Sequence, residues 1–234
     1  MASVGLQVGW CSAKASEYAC KNWHYSKTMP CFKINCFGVW YNGSFVGSII
    51  YGNGGGSVTN GEQYGLRRSY DMVELCRVAL TKHTFQTSQA IAYSIRLLKK
   101  KNPNLKLIVS FADTDQGHHG GIYQAGGWIY TGSTQSEQGA IINGKKVHKR
   151  TLHSSYGTNQ TSELKKIDPN FHYLPKSIKH RYLMPLTKQM KKRIVQLSKP
   201  YPKRVSSDTS DTPAFHAGEA GATPSDALQK EGKQ

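Results

Sequence analysis

A chain of 234 residues with 38% hydrophobic residues, 13 Tyr and 4 Trp holds enough apolar material for one ordinary core and too much for a disordered chain. Its 31 Lys and Arg stand against 14 Asp and Glu, a formal charge of +17, which strains a compact state and suits a polyanionic partner. No run of about 18 apolar residues and no basic-then-apolar leader is present, so the expectation is a cytoplasmic protein with no membrane span.

Gly5 to Trp10 reads as a first strand, and Ser12 as the N-cap of a helix over 13–22 with Ala15, Tyr18, Ala19 and Asn22 on one face. Cys36–Tyr41 and Phe45–Tyr51 read as strands of a hairpin closed by Asn42-Gly43, a pair that tolerates positive φ at both turn positions. Asn53–Gly61 is too glycine-rich for regular structure and is expected to be a mobile loop. Asp71–Leu80 is strand-like, and Thr87 and Ser88 are expected to cap a helix to Lys101 whose core face is Ala90, Ile91, Ser94, Ile95 and Leu98.

Leu105–Ala112 is expected as a central strand, followed by a short helix near His119–Ala125 and a strand over Trp128–Thr131. A second Asn-Gly hairpin is expected at Asn143-Gly144, a strand over Ser177–Leu186 and a basic helix over Thr187–Leu197. The order predicts an α/β fold: a mixed β-sheet with helices on both faces and a basic C-terminal extension. This is the layout of the GNAT-type acyltransferases. One domain over 1–200 and a disordered tail over 201–234 complete the expected organisation.

Charge is unevenly spread. From Lys145 to Arg204 there are sixteen Lys or Arg against only Glu163 and Asp168. A run so one-signed points to nucleic acid, with Lys145, Lys146, Lys149, Arg150, Lys191, Lys192 and Arg193 as expected DNA contacts. The five cysteines are odd in number and form no CxxC pair, which supports neither a disulfide framework nor a zinc ribbon.

Three segments could carry chemistry. Trp23-His24-Tyr25-Ser26 joins a near-neutral base to a phenol, or else is a packing anchor beside a surface histidine. Ser110 to Gly121 follows the central strand, where open α/β sheets bind ligands, and Asp113 stands out there. In an extended segment Asp113 and Asp115 point the same way, whereas Glu74 and Arg77, at odd spacing, face opposite sides of their strand. Ile122 to Trp128 places Tyr123 where a phenol can meet a reacting centre, unless it is a core tyrosine. Ser88, at a helix N-terminus, is a candidate for holding an anionic donor. Residues 82–88 hold no glycine, which argues against ordinary acyl-CoA binding.

WHYS at 23–26, ELCR at 74–77, VSFAD at 109–113 and GIYQAGGW at 121–128, in that order, resemble the Mom family of Mu-like bacteriophage DNA-modification proteins. The resemblance runs from Cys20 to Leu186. It implies a divergent GNAT fold, conversion of adenine in phage DNA to N6-carbamoylmethyladenine, and protection from host restriction. It further implies iron, with Tyr25, Asp113 and Tyr123 as metal-site residues and His24, Tyr25, Glu74, Arg77, Asp113 and Tyr123 as catalytic ones. Trp23, Tyr25 and Trp128 are expected to receive a flipped base. Double-stranded DNA is the expected partner, with an activated glycine such as glycyl-tRNA as donor in preference to acetyl-CoA, and a homodimer as one assembly to test. A conventional GNAT acetyltransferase and a non-enzymatic DNA-binding regulator are the alternatives.

Overall fold

In a computed structural model of the chain, the structure describes residues 5–54, 61–66, 71–135 and 139–203. They form two compact units: one of residues 5–54 and 73–104, the other of 61–66, 71–72 and 105–203. The tail after 203 and most of the glycine loop, 55–60, lie outside the described residues.

In the first unit, β1 (Leu6–Trp10), β2 (Ile34–Tyr41) and β3 (Ser44–Gly52) form an antiparallel meander that continues to β4 (Met72–Leu80). The β2–β3 turn takes φ of +49° at Asn42 and +81° at Gly43, the left-handed pair that asparagine and glycine tolerate. Helix α1 (Ala13–Trp23) starts on Ser12, whose hydroxyl accepts from the Ala15 amide, a cap worth about 1 kcal/mol. Its buried face is Ser16, Ala19 and Cys20, packed on Cys36, Ile50 and Ala79. Tyr18, expected on the core face, is instead 55% exposed, because the buried stripe falls on 16, 19 and 20.

Helix α2 (Thr87–Lys101) covers the opposite face, where Tyr51 hydrogen-bonds Ser94 at 2.7 Å. The sheet thus has a helix on each face, as expected. Gln86, not Thr87 or Ser88, occupies the N-cap and makes no side-chain cap bond. Thr87 is already helical, and its hydroxyl donates to His83 Nε2 (3.0 Å) while His83 Nδ1 donates to the Thr81 carbonyl (2.7 Å).

In the second unit, β10 (Ile178–Pro185) lies between β5 (Leu107–Asp113) and β6 (Ile129–Gln135), antiparallel to both. One face, with Leu107, Val109 and Leu183, packs on Tyr64, Leu66, Met190 and Ile194, the last two from helix α6 (Lys188–Ile194). The other face meets the short helix α3 (Gly121–Ala125) through Tyr123.

A smaller sheet, ordered β8–β7–β9, comprises β7 (Gly139–Ile142), β8 (Lys145–His148) and β9 (His172–Tyr173). Helices α4 (Lys149–Tyr156) and α5 (Thr161–Ile167) close it around Ala140, Ile142, Leu152, Leu164 and Phe171. The Asn143-Gly144 turn repeats the left-handed pair, with φ of +49° and +68°. Among the described residues no helix is long and apolar enough to cross a membrane.

Candidate functional site

In the first unit His24 follows α1, its amide bonded to the Cys20 carbonyl. The Ser26 amide donates to His24 Nδ1 (3.1 Å) and the Ser26 hydroxyl meets the same atom at 2.8 Å. Because Nδ1 accepts, the neutral ring carries its proton on Nε2. His24 is buried, and Tyr25, 49% exposed, lies against its ring with centroids 4.3 Å apart. Trp23 is half-buried between Tyr18 and Phe45, with its indole in the α1 core. That leaves Tyr25 as the exposed aromatic of this segment.

Glu74 and Arg77 correct the expectation of opposite faces. Arg77 pairs with Ile50 and Glu74 with Gly52, while Leu75 pairs with Tyr51, so Cys76 is an extra residue in β4. A bulge resets the alternation, and Glu74 and Arg77 share the α1 face. Arg77 Nε donates to the Thr28 carbonyl at 3.4 Å, tying β4 to the His24 segment.

In the second unit, Asp113 ends β5 and caps the 3₁₀ turn Thr114–Gln116: its Oδ1 accepts from the Asp115 amide (3.1 Å), and Lys179 Nζ lies 3.7 Å from Oδ2. Asp115 therefore sits in a turn, not in the extended segment that would align it with Asp113. Tyr123, 7% exposed, accepts the Ser110 hydroxyl at 2.8 Å. The β5–β10 register runs without a bulge from Asp113↔Lys179 to Leu107↔Pro185, so Ser110 and Asp113, three apart, leave opposite faces of β5.

That geometry tests the iron expectation. Asp113 has both carboxylate oxygens engaged and points away from the face where Tyr123 is bonded. Among the described residues no group of three His, Cys, Asp or Glu could hold a metal ion. Asp113 and Tyr123, on opposite faces of β5, therefore do not fit a shared iron centre.

The face shared by Ser110 and Tyr123 is the chemically dense one. Tyr182, fully buried, lies across from Ser110; its ring contacts Tyr123 (5.1 Å) and Tyr130 (5.3 Å). Its hydroxyl donates to the His119 carbonyl and accepts from Gln124 Nε2 (3.1 Å). Burial pushes the Tyr182 phenol above its ordinary pKa, so it stays protonated. His180 is held below its ordinary value by burial and then by nearby His119, so it stays neutral. Its Nδ1 lies 3.1 Å from both Tyr130 Oη and Ser133 Oγ, and those two oxygens are 3.2 Å apart.

A second bulge makes this cluster. His180 pairs with Ser133 and Tyr182 with Tyr130, two steps on β10 against three on β6, and Gly132 absorbs the difference at φ +96°. Sequence reasoning missed Tyr130, Ser133, His180 and Tyr182, because only the bulge puts residues 130 and 133 on one face; Gly132 inside a strand pattern was the available signal. Trp128, expected to receive a base, is 1% exposed and packs on Tyr123, so it is a core residue.

Of the expected DNA contacts, Lys145, Lys146, Lys149, Lys191 and Lys192 are exposed, with Lys149 over the Tyr173 ring at 5.3 Å. Arg193 donates to the Tyr64 carbonyl (2.6 Å) and so secures the 61–66 segment. The Arg150 side chain lies outside the described residues.

Among solved structures the chain is similar to a Bacillus subtilis acetyltransferase in complex with CoA (13% identity, TM-score 0.44) and to a GNAT family acetyltransferase from Elizabethkingia anophelis with acetyl-CoA bound (11%, TM-score 0.38). Each alignment covers 79% of this chain and 100% of the other. In sequence it is 29% identical over 119 residues to the methylcarbamoylase mom of Escherichia phage Mu, which covers 50% of this chain and 49% of that protein. The match thus spans about half the length of that relative. The Mom protein family model matches residues 5–203. The chain belongs to the Mom protein family.

Proposed function

We propose that this chain is a transferase that modifies adenine in DNA, placing a carbamoylmethyl group on N6. The family match over 5–203 carries the reading, and the name of the phage Mu relative, a methylcarbamoylase, agrees with it. In the phage setting the modified DNA would escape host restriction.

The tyrosine, serine and histidine face of the second unit supports it chemically. Adenine N6 is a poor nucleophile, because its lone pair is delocalised into the ring. Transfer therefore needs a base to take its proton and donors to stabilise the carbonyl oxygen as charge builds there. His180, neutral, can accept a proton at Nδ1, and the Tyr130 hydroxyl lies beside it as donor. Tyr123 and Tyr182, buried with ring centroids 5.1 Å apart, back that face.

The group donor on this reading is an activated glycine, such as glycyl-tRNA. The product N6–CH2–CO–NH2 is an isomer of a glycyl amide, N6–CO–CH2–NH2. Acylation of N6 followed by attack of the free amine on C6 forms the new C6–N bond, breaks the old one, and leaves the original N6 as the amide nitrogen. The glycine-free segment 82–88 keeps acetyl-CoA the weaker candidate.

Duplex DNA is the proposed partner, and the target base must leave the stack to react. Lys145, Lys146, Lys149 and Lys165 project from the small three-stranded module, whose Asp168 is turned inward onto the Asn143 and Asn170 amides. Its outer surface is thereby strongly positive, as phosphate contact requires.

Mass spectrometry of nucleosides from cells expressing the chain tests the reading. A deoxyadenosine heavier by one carbamoylmethyl group supports it; unmodified adenine beside intact DNA binding would favour a regulator.

A further inference from the structure

We propose that Ser133 is a nucleophile, with His180 as its base and Tyr130 as a hydrogen-bond donor to the developing oxyanion or alkoxide, and that the trio accepts an acyl group from an activated carboxylic ester. The site lies wholly within the second unit. For its acceptor, adenine, the inference rests on the transferase reading above; for the acylation itself it stands alone.

Three observations carry it. Ser133 Oγ and His180 Nδ1 are 3.1 Å apart, within the reach a serine needs to pass its proton to a base. Ser133 is exposed while Tyr130 and Tyr182 behind it are buried, so a donor can reach the hydroxyl from solvent. Gly132, at φ +96°, provides the bulge that turns Ser133 onto the face of Tyr130 and His180; a regular strand would point it away. Bulges recur beside active sites for this reason, because they re-aim one side chain without rebuilding the sheet. Burial, which keeps His180 neutral, adds to the geometry.

The step balances without a further reagent. Ser133 Oγ attacks the ester carbonyl carbon, and its proton moves to His180 Nδ1. The tetrahedral centre collapses with loss of the alcohol, which takes the proton from His180. Ser133 is left as an acyl ester and His180 neutral. An amine then attacks that ester, the acyl group leaves on the amine, and the serine hydroxyl is restored. If the donor is a glycyl ester, Ser133 holds glycine before N6 receives it.

p-Nitrophenyl acetate, an activated ester, tests this on the full chain. The expected result is a burst of p-nitrophenolate and one acetyl group located on Ser133 by peptide mass spectrometry. Ser133→Ala should abolish the burst, Ser133→Cys should restore an acylated residue at this position, and His180→Gln should slow acylation by about 10²-fold or more. Circular dichroism of Ser133→Ala checks that the exposed site is lost without unfolding. No burst, an acetyl group elsewhere, or a burst unchanged in Ser133→Ala would overturn the proposal. Acetylated Ser133 in a protein that leaves adenine unmodified would keep this site and sink the transferase reading instead.

Discussion

Ser110 and Asp113, three residues apart on an unbroken β5, project from opposite faces: Ser110 bonds Tyr123, and Asp113 binds the turn after the strand and Lys179. Asp113 and Tyr123 therefore do not converge on one centre, and the proposed chemistry uses the Ser110 face. Mutations on the two faces should act independently. Asp113→Ala should cost about 1 kcal/mol through the lost cap, and combining it with Tyr123→Phe should give additive losses within about 0.5 kcal/mol. Urea unfolding of both single variants and the double measures this; strong coupling would restore a shared site.

Gly132 is the residue on which the proposed nucleophile depends. Its φ of +96° is poorly suited to an L side chain, and an added Cβ would lie 3.0 Å from Lys199 Nζ. Gly132→Ala should destabilise the chain by about 1–3 kcal/mol and slow Ser133 acylation together. Unchanged unfolding and unchanged acylation would mean the bulge has no part in aiming Ser133.

His180 gives a pH signature. Its pKa is held below the ordinary 6.5, so the unfolded chain protonates first as pH falls below that value while the folded chain does not. Its contribution to stability is therefore complete above pH 6.5 and falls away below it, until the folded-state value is passed. The acid limb of Ser133 acylation should have its midpoint below 6.5. A histidine-resolved NMR titration compared with the rate profile checks both, and a midpoint above 6.5 would speak against this environment.

DNA binding should fall steeply with salt. Replacing Lys145, Lys146 and Lys149 together by alanine should lower the slope of log K against log salt by about 2–3. The loss should be alike for unrelated duplex sequences, because phosphate contacts carry no base information. Fluorescence anisotropy at several salt concentrations reads the slope, and an unchanged slope would move the nucleic-acid surface elsewhere.

What the sequence made legible was what local chemistry decides. Both Asn-Gly turns were readable because their backbone conformation excludes most residues, and Ser12 because a helix start needs an acceptor. The two bulges were not readable. Strict alternation placed Glu74 opposite Arg77 and would have separated Tyr130 from Ser133, whereas register fixed by partner strands brings each pair together. Helices α4 and α5 escaped notice because they are short, polar and held by tertiary packing of Leu152 and Leu164. In the candidate site, the motif residues led to Tyr123, but Tyr182 and His180 sit in a strand whose sequence announces only its extended form.

The most direct test pairs His180→Gln with Asp113→Asn and measures modified deoxyadenosine in the DNA of expressing cells by mass spectrometry. The account predicts loss of the modified nucleoside in the first variant and its retention in the second, where the amide oxygen can still cap the turn. Modification that survives His180→Gln and disappears with Asp113→Asn would contradict it.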